Sequence, residues 1–101
     1  MAKFFVSMRL TDKGANELDT LTGTFERVKG VVHEATGLEA EILAVFGGPF
    51  DFIADCTANE FDDAAYFALE LARTGVVQTT TQKAYSLEGF MNVVQHSKMA
   101  P

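Results

Sequence analysis

Phe46-Gly47-Gly48-Pro49-Phe50-Asp51, followed directly by Phe52-Ile53-Ala54, is the stretch that decides how the rest of the chain is arranged. Two glycines and a proline in succession signal a turn, and both flanks alternate as strands do. Before the turn, Ala40, Ile42, Ala44 and Phe46 fall on one face and Glu41, Leu43 and Val45 on the other. After it, Phe52, Ala54 and Cys56 oppose Asp51, Ile53 and Asp55. A β-hairpin is therefore expected at mid-chain, formed by Leu38–Phe46 and Phe50–Thr57.

Working outward towards the N-terminus, Lys3–Leu10 reads as a strand with Phe4, Val6 and Met8 on one face and Phe5, Ser7 and Arg9 on the other. Thr11-Asp12-Lys13-Gly14 reads as a turn, and Ala15–Gly23 as a short helical turn followed by a loop. From Phe25 the period changes to that of a helix, with Phe25, Val28, Val32 and Ala35 in one stripe and Gly37 as its C-terminal cap. Beyond the hairpin, Asn59 is placed to cap a second helix, with Asp62 returning a hydrogen bond. That helix runs to about Arg73, where Gly75 stops it. Its apolar arc is wide, since Phe61, Ala65, Ala68 and Ala72 are joined by Ala64, Phe67 and Leu71, and the breadth predicts a second neighbour. Val76–Tyr85 is the last strand, and Ser86 caps a short terminal helix expected to pack Leu87, Phe90 and Val94. The tail from His96 is expected to fray.

Strand, helix, strand, strand, helix, strand is the split pattern of an α+β, ferredoxin-like βαββαβ sandwich, a four-stranded antiparallel sheet with both helices on one face. The other sheet face has no cover within the chain, and Phe5, Leu43, Val45 and Ile53 fall on it. Water-exposed apolar patches of that size are uncommon on monomers, so a homodimer closed sheet against sheet is expected, with the chain itself as partner.

Composition narrows the function classes. The 101 residues suit one domain with a core over about residues 3–94. Hydrophobic residues make up 48%, which argues against disorder, and no apolar run approaches the ~20 residues of a membrane span. With strand-like sequence beginning at Lys3 and no signal-peptide pattern ahead of it, the expected address is cytoplasmic. A net charge of −6 with scattered Lys and Arg argues against nucleic acid. The single Cys56 has no disulfide partner within the chain and reads as a small core residue. No metal-ligand spacing, phosphate loop or nucleophile with an adjacent base is present.

Leu10-Thr11-Asp12-Lys13-Gly14, Gly48-Pro49-Phe50-Asp51, the Asp62-Asp63-Ala64-Ala65 helix start, and Gly75-Val76-Val77-Gln78-Thr79-Thr80-Thr81 with Ala84-Tyr85 closely resemble the GYD domain family over roughly Phe4–Val94. The signature of that family is Gly, any residue, Tyr, Asp. Here the motif residues are Gly48, Phe50 and Asp51, so a phenyl ring replaces the phenol and its hydroxyl is lost. The resemblance extends to the dimeric α/β-barrel superfamily. That superfamily includes ligand-sensing domains of leucine-responsive regulators, cofactor-free monooxygenases, lactone isomerases and haem-dependent chlorite dismutases.

If the uncovered face lines a space between paired sheets, Ser7, Arg9, Asp51, Asp55, Gln78, Thr80 and Gln82 face it among Phe5 and Ile53. Such a concave, partly apolar space with a few polar groups suits a small molecule. Two roles are open to Arg9, a bidentate clamp on a ligand carboxylate or an ion pair with Asp51 or Asp55. Asp51 is either a base or the residue that fixes the hairpin through turn amides. The Gln and Thr file is either a pocket wall or a solvated face. His33, on the flank of the first helix, reads as a surface residue rather than an axial haem ligand, and no cofactor is implied. Three functional readings follow: a non-enzymatic oligomer that binds a small metabolite or serves as an assembly module; a cofactor-independent monooxygenase or isomerase using Arg9 and Asp51 or Asp55; and a purely structural oligomer.

Overall fold

The computed structural model describes residues 1–99. Its elements are β1 (Ala2–Leu10), α1 (Asp12–Asn16), α2 (Leu18–Thr36), β2 (Glu39–Ala44), β3 (Phe52–Ala58), α3 (Phe61–Arg73), β4 (Val77–Ala84) and α4 (Leu87–Met99). The four strands form one antiparallel sheet in the order β2-β3-β1-β4. This is the ferredoxin-like βαββαβ arrangement with an added C-terminal helix.

Strand alternation sorts side chains to the two faces. Phe4, Val6 and Met8 of β1 pair with Cys56, Ala54 and Phe52 of β3. Against these, α2 buries Leu21, Phe25, Val28 and Val32, and α3 buries Ala64, Phe67, Ala68 and Leu71. Two edge-to-face aromatic pairs tie helix to sheet, Phe25 on Phe52 at 5.1 Å and Phe61 on Phe4 at 5.8 Å between ring centroids. Cys56 lies wholly inside this core, its Sγ 3.7 Å from the Ala54 carbonyl.

The first helix is longer than its sequence suggests. Rather than a loop before Phe25, α2 begins at Leu18 and α1 precedes it. Leu21 extends the buried stripe by one helical turn, and its packing outweighs the low helix propensity of Thr20, Thr22, Gly23 and Thr24. Ala35 ends up exposed. Gly37 caps the helix in the left-handed region at φ 79°, its N–H donating to the His33 carbonyl at 2.7 Å.

Thr11-Asp12-Lys13-Gly14 is the start of α1, docked against the α3–β4 connection. The Thr11 hydroxyl accepts from the Gly14 N–H and donates to the Gly75 carbonyl, while the Thr11 N–H donates to the Val76 carbonyl. Lys13 Nζ adds a bond to the Thr74 carbonyl. At the start of α3, Glu60 occupies the N-cap position in place of Asn59 and its side chain makes no capping bond. Asp62 and Asp63 in the first turn still complement the positive end of the helix.

The terminal helix also departs from expectation. The Ser86 hydroxyl does accept from the Gly89 N–H at 2.9 Å, so the cap is formed. Yet Leu87 is 84% exposed and Phe90, Met91 and Val93 are about half exposed. Leu87 and Phe90 thus face solvent instead of packing on the sheet, because the helix-covered face is already filled by α2 and α3. The α4 helix continues through Met99; the part of the expected tail at residues 100 and 101 lies outside the described residues.

Candidate functional site

On the face opposite α2 and α3, register alone places the side chains in rows. One row runs Gln82, Phe5, Asp55, Glu41, the next Thr80, Ser7, Ile53, Leu43, and a third begins with Gln78 and Arg9. The sheet therefore brings Phe5, Ser7, Arg9, Ile53, Asp55, Gln78, Thr80 and Gln82 to one surface. Phe5, Ser7, Ile53 and Gln82 line a shallow hollow of about 180 Å³ on it. Ser7 is buried at its floor, while Phe5 and Leu43 remain 40% and 49% exposed.

The charged groups of this face are engaged locally. Asp55 accepts from Lys3 Nζ at 2.8 Å in an ion pair open to solvent, a geometry that contributes at most about 1 kcal/mol. Arg9 makes no ion pair with Asp51 or Asp55. Its Nε and Nη2 instead both donate to the Pro49 carbonyl, at 3.1 and 2.9 Å. A strand of the central sheet thereby holds the glycine-proline loop through a backbone acceptor, a partner that side-chain charge patterning does not reveal.

Asp51 is separated from the hollow. Its N–H donates to the Met8 carbonyl at 2.8 Å, its carbonyl accepts from Val45 N–H at 2.9 Å, and its Oδ2 accepts from Leu10 N–H at 2.8 Å. The carboxylate thus satisfies an amide of β1, not amides of the turn. It lines a different space, on the helix-covered side at the end of the sheet, with Leu10, Leu21, Phe25, Phe46 and Phe52. Sequence reading did not identify this cleft. Its one visible trace is Phe46, which continues the face of Ala40, Ile42 and Ala44 past the end of β2.

Together, Arg9 on Pro49 and Asp51 on Leu10 make the Gly48-Pro49-Phe50-Asp51 segment a clasp between the hairpin and β1. The family model of the GYD domain matches residues 4–94 of the 101. The chain belongs to the GYD domain family. No curated protein matches the chain. The GYD match takes in both the clasp and the Thr11–Gly75 contact, and it ends within α4. In this GYD domain Phe50, between Pro49 and Asp51 of the clasp, is half-buried.

Other residues with chemical potential are placed apart from both spaces. His33 is exposed on the last turn of α2, with Nδ1 3.1 Å from the Leu38 carbonyl. Cys56 is closed off in the core; burial, then the neighbouring Asp55 charge, pushes its thiol pKa up to about 12, partly offset by Lys3. Among the described residues, no group of three or more His, Cys, Asp or Glu is placed to hold a metal ion, and no helix is long and apolar enough to cross a membrane.

Proposed function

We propose that this GYD domain is a homo-oligomeric binding module that pairs through its open sheet face and holds a small metabolite in the space so enclosed. The observation that carries the reading is the uncovered face itself, with Phe5, Leu43 and Ile53 set among Ser7, Thr80 and Gln82 around a hollow. Apolar walls with a few convergent polar groups are the usual lining of small-molecule sites.

Magnitudes bear on how the pairing is made. Completing the burial of a half-exposed Phe, Leu or Ile contributes about 1 kcal/mol, whereas association costs on the order of 4–15 kcal/mol. Buried on both copies, Phe5, Leu43 and Ile53 contribute on the order of 6 kcal/mol, which meets only the low end of that cost. The α4 stripe of Leu87, Phe90, Met91 and Val93 supplies a comparable second apolar surface on the same chain, and covering it as well adds to the margin of the pair.

Native mass spectrometry of protein from its own host, combined with light scattering, tests the reading. An even-numbered assembly carrying a reproducible extra mass that leaves on denaturation is expected, as is dissociation of the double variant Phe5→Glu, Ile53→Glu with its fold kept. A monomeric parent protein overturns the pairing. An assembly of bare chains overturns the binding role and leaves a structural one.

A further inference from the structure

We propose that the cleft between α2 and the β2–β3 hairpin is a second binding site, specific for a small organic cation with an aromatic or branched apolar body. It lies on the opposite side of the sheet from the hollow discussed above, within a single chain, and does not rest on oligomerisation.

The cleft measures about 440 Å³, within the size range of small-ligand sites. Its walls come from three parts of the chain: Leu10 at the end of β1, Leu21 and Phe25 of α2, and Phe46 and Phe52 flanking the hairpin loop. Phe25 and Phe52 meet edge to face at 5.1 Å and form an aromatic wall, a surface that attracts the bodies of arylalkyl ligands and also cations. Ala44 presents only a methyl group, which leaves room where a larger residue at that position would fill the space.

Only Thr22 and Asp51 bring polar side chains to this lining. Asp51 is held in place because its Oδ2 already accepts from the Leu10 N–H, and no donor among the described residues engages Oδ1. A fixed carboxylate with one oxygen available at the edge of an apolar cleft selects a ligand donor, most strongly an ammonium. The same carboxylate repels an anion. The net charge of −6 acts in the same direction by drawing cations towards the surface. Phe46 is 96% exposed at the rim and precedes Gly47, whose φ of 89° is open to glycine at little cost. Closing Phe46 over a ligand buries a ring that otherwise stands in water.

Titration of the 101-residue protein with phenethylamine, followed by two-dimensional amide NMR, tests this proposal against phenylpropionate as the anionic counterpart of similar shape. Saturable shifts are expected at Leu18–Phe25 and Phe46–Phe52, with the amine bound at least about tenfold more tightly than the acid. Asp51→Asn keeps an acceptor for the Leu10 amide and is expected to abolish that preference. Leu18→Lys, at an exposed position of the same rim, leaves the clasp untouched and is expected to weaken amine binding by a similar factor. Shifts confined to Phe5, Ile53 and Gln82, equal binding of amine and acid, or no saturation in the millimolar range each overturn the proposal. The oligomeric state reports separately on the sheet-face reading.

Discussion

Gly14 is the tightest point of the fold. A methyl group added there meets the Val76 carbonyl oxygen at 2.1 Å and Leu10 Cδ2 at 2.9 Å, and the backbone carbonyl cannot swing aside as a side chain does. Gly14→Ala is therefore expected to destabilise the domain by about 1–3 kcal/mol or more, as measured by urea unfolding; an unchanged midpoint would show that α1 relaxes freely off the α3–β4 connection. Cys56 lies at the other extreme of packing, enclosed without strain. With its ionisation raised from 9.0 to about 12, the folded state keeps the thiol neutral while the unfolded chain ionises. That contribution to stability is fully present below pH 9 and is lost as pH rises towards 12. A Cys56→Ser variant should accordingly show a flatter decline in stability over that window. In the parent protein, thiol reagents at neutral pH should react only at the rate of opening; fast labelling of the native state would contradict this burial.

The elements differ in how much of them local sequence reveals. Strand β1 is legible because Phe4, Val6 and Met8 alternate with Phe5, Ser7 and Arg9, and the hairpin because Gly47-Gly48-Pro49 interrupts two alternating runs. The start of α2 is not legible locally, because Thr20, Thr22, Gly23 and Thr24 speak against a helix that only the burial of Leu21 sustains. Gly23 and Gly30 both face open space, with nothing within 4 Å of an added methyl group. Gly23→Ala and Gly30→Ala should each stabilise the domain by up to about 1 kcal/mol, read as an upward shift in Tm; a loss of stability would mean that these positions are covered in the assembled protein. The clasp was hidden for another reason. Alternation along β3 points Asp51 to the open face, whereas its carboxylate turns to the Leu10 N–H on the helix-covered side and the Pro49 carbonyl accepts from Arg9, contacts that span some forty positions. The open-face residues followed from alternation, whereas the Asp51 cleft draws walls from β1, α2 and the loop and exists only once these meet.

At the scale of the whole molecule, the radius of gyration is 15.3 Å, against about 13 Å for a compact domain of this length. The excess fits α4, whose apolar residues stand in solvent because the sheet's helix-bearing face is already occupied. If a second copy covers this helix, Leu87→Glu with Phe90→Glu should weaken the assembly by at least about tenfold in dissociation constant. The β1–β4 core should meanwhile keep its thermal transition. Sedimentation over a concentration series separates these outcomes, and an unshifted dissociation constant would remove α4 from the interface.

Strand β1 occupies an inner position of the sheet although it is the first element in the chain. Met8 is flanked by Phe52 on one side and Thr79 on the other, so its second hydrogen-bonding edge has no native partner until β4 has been synthesised. During translation the nascent chain carries Phe4, Val6 and Met8 on a strand whose second edge stays open until β4 has emerged. Closure of the sheet thus waits on its most distant pairing, between β1 and β4. A ribosome stalled within α3 would present that free edge to chaperones, or to the same edge of a neighbouring nascent chain.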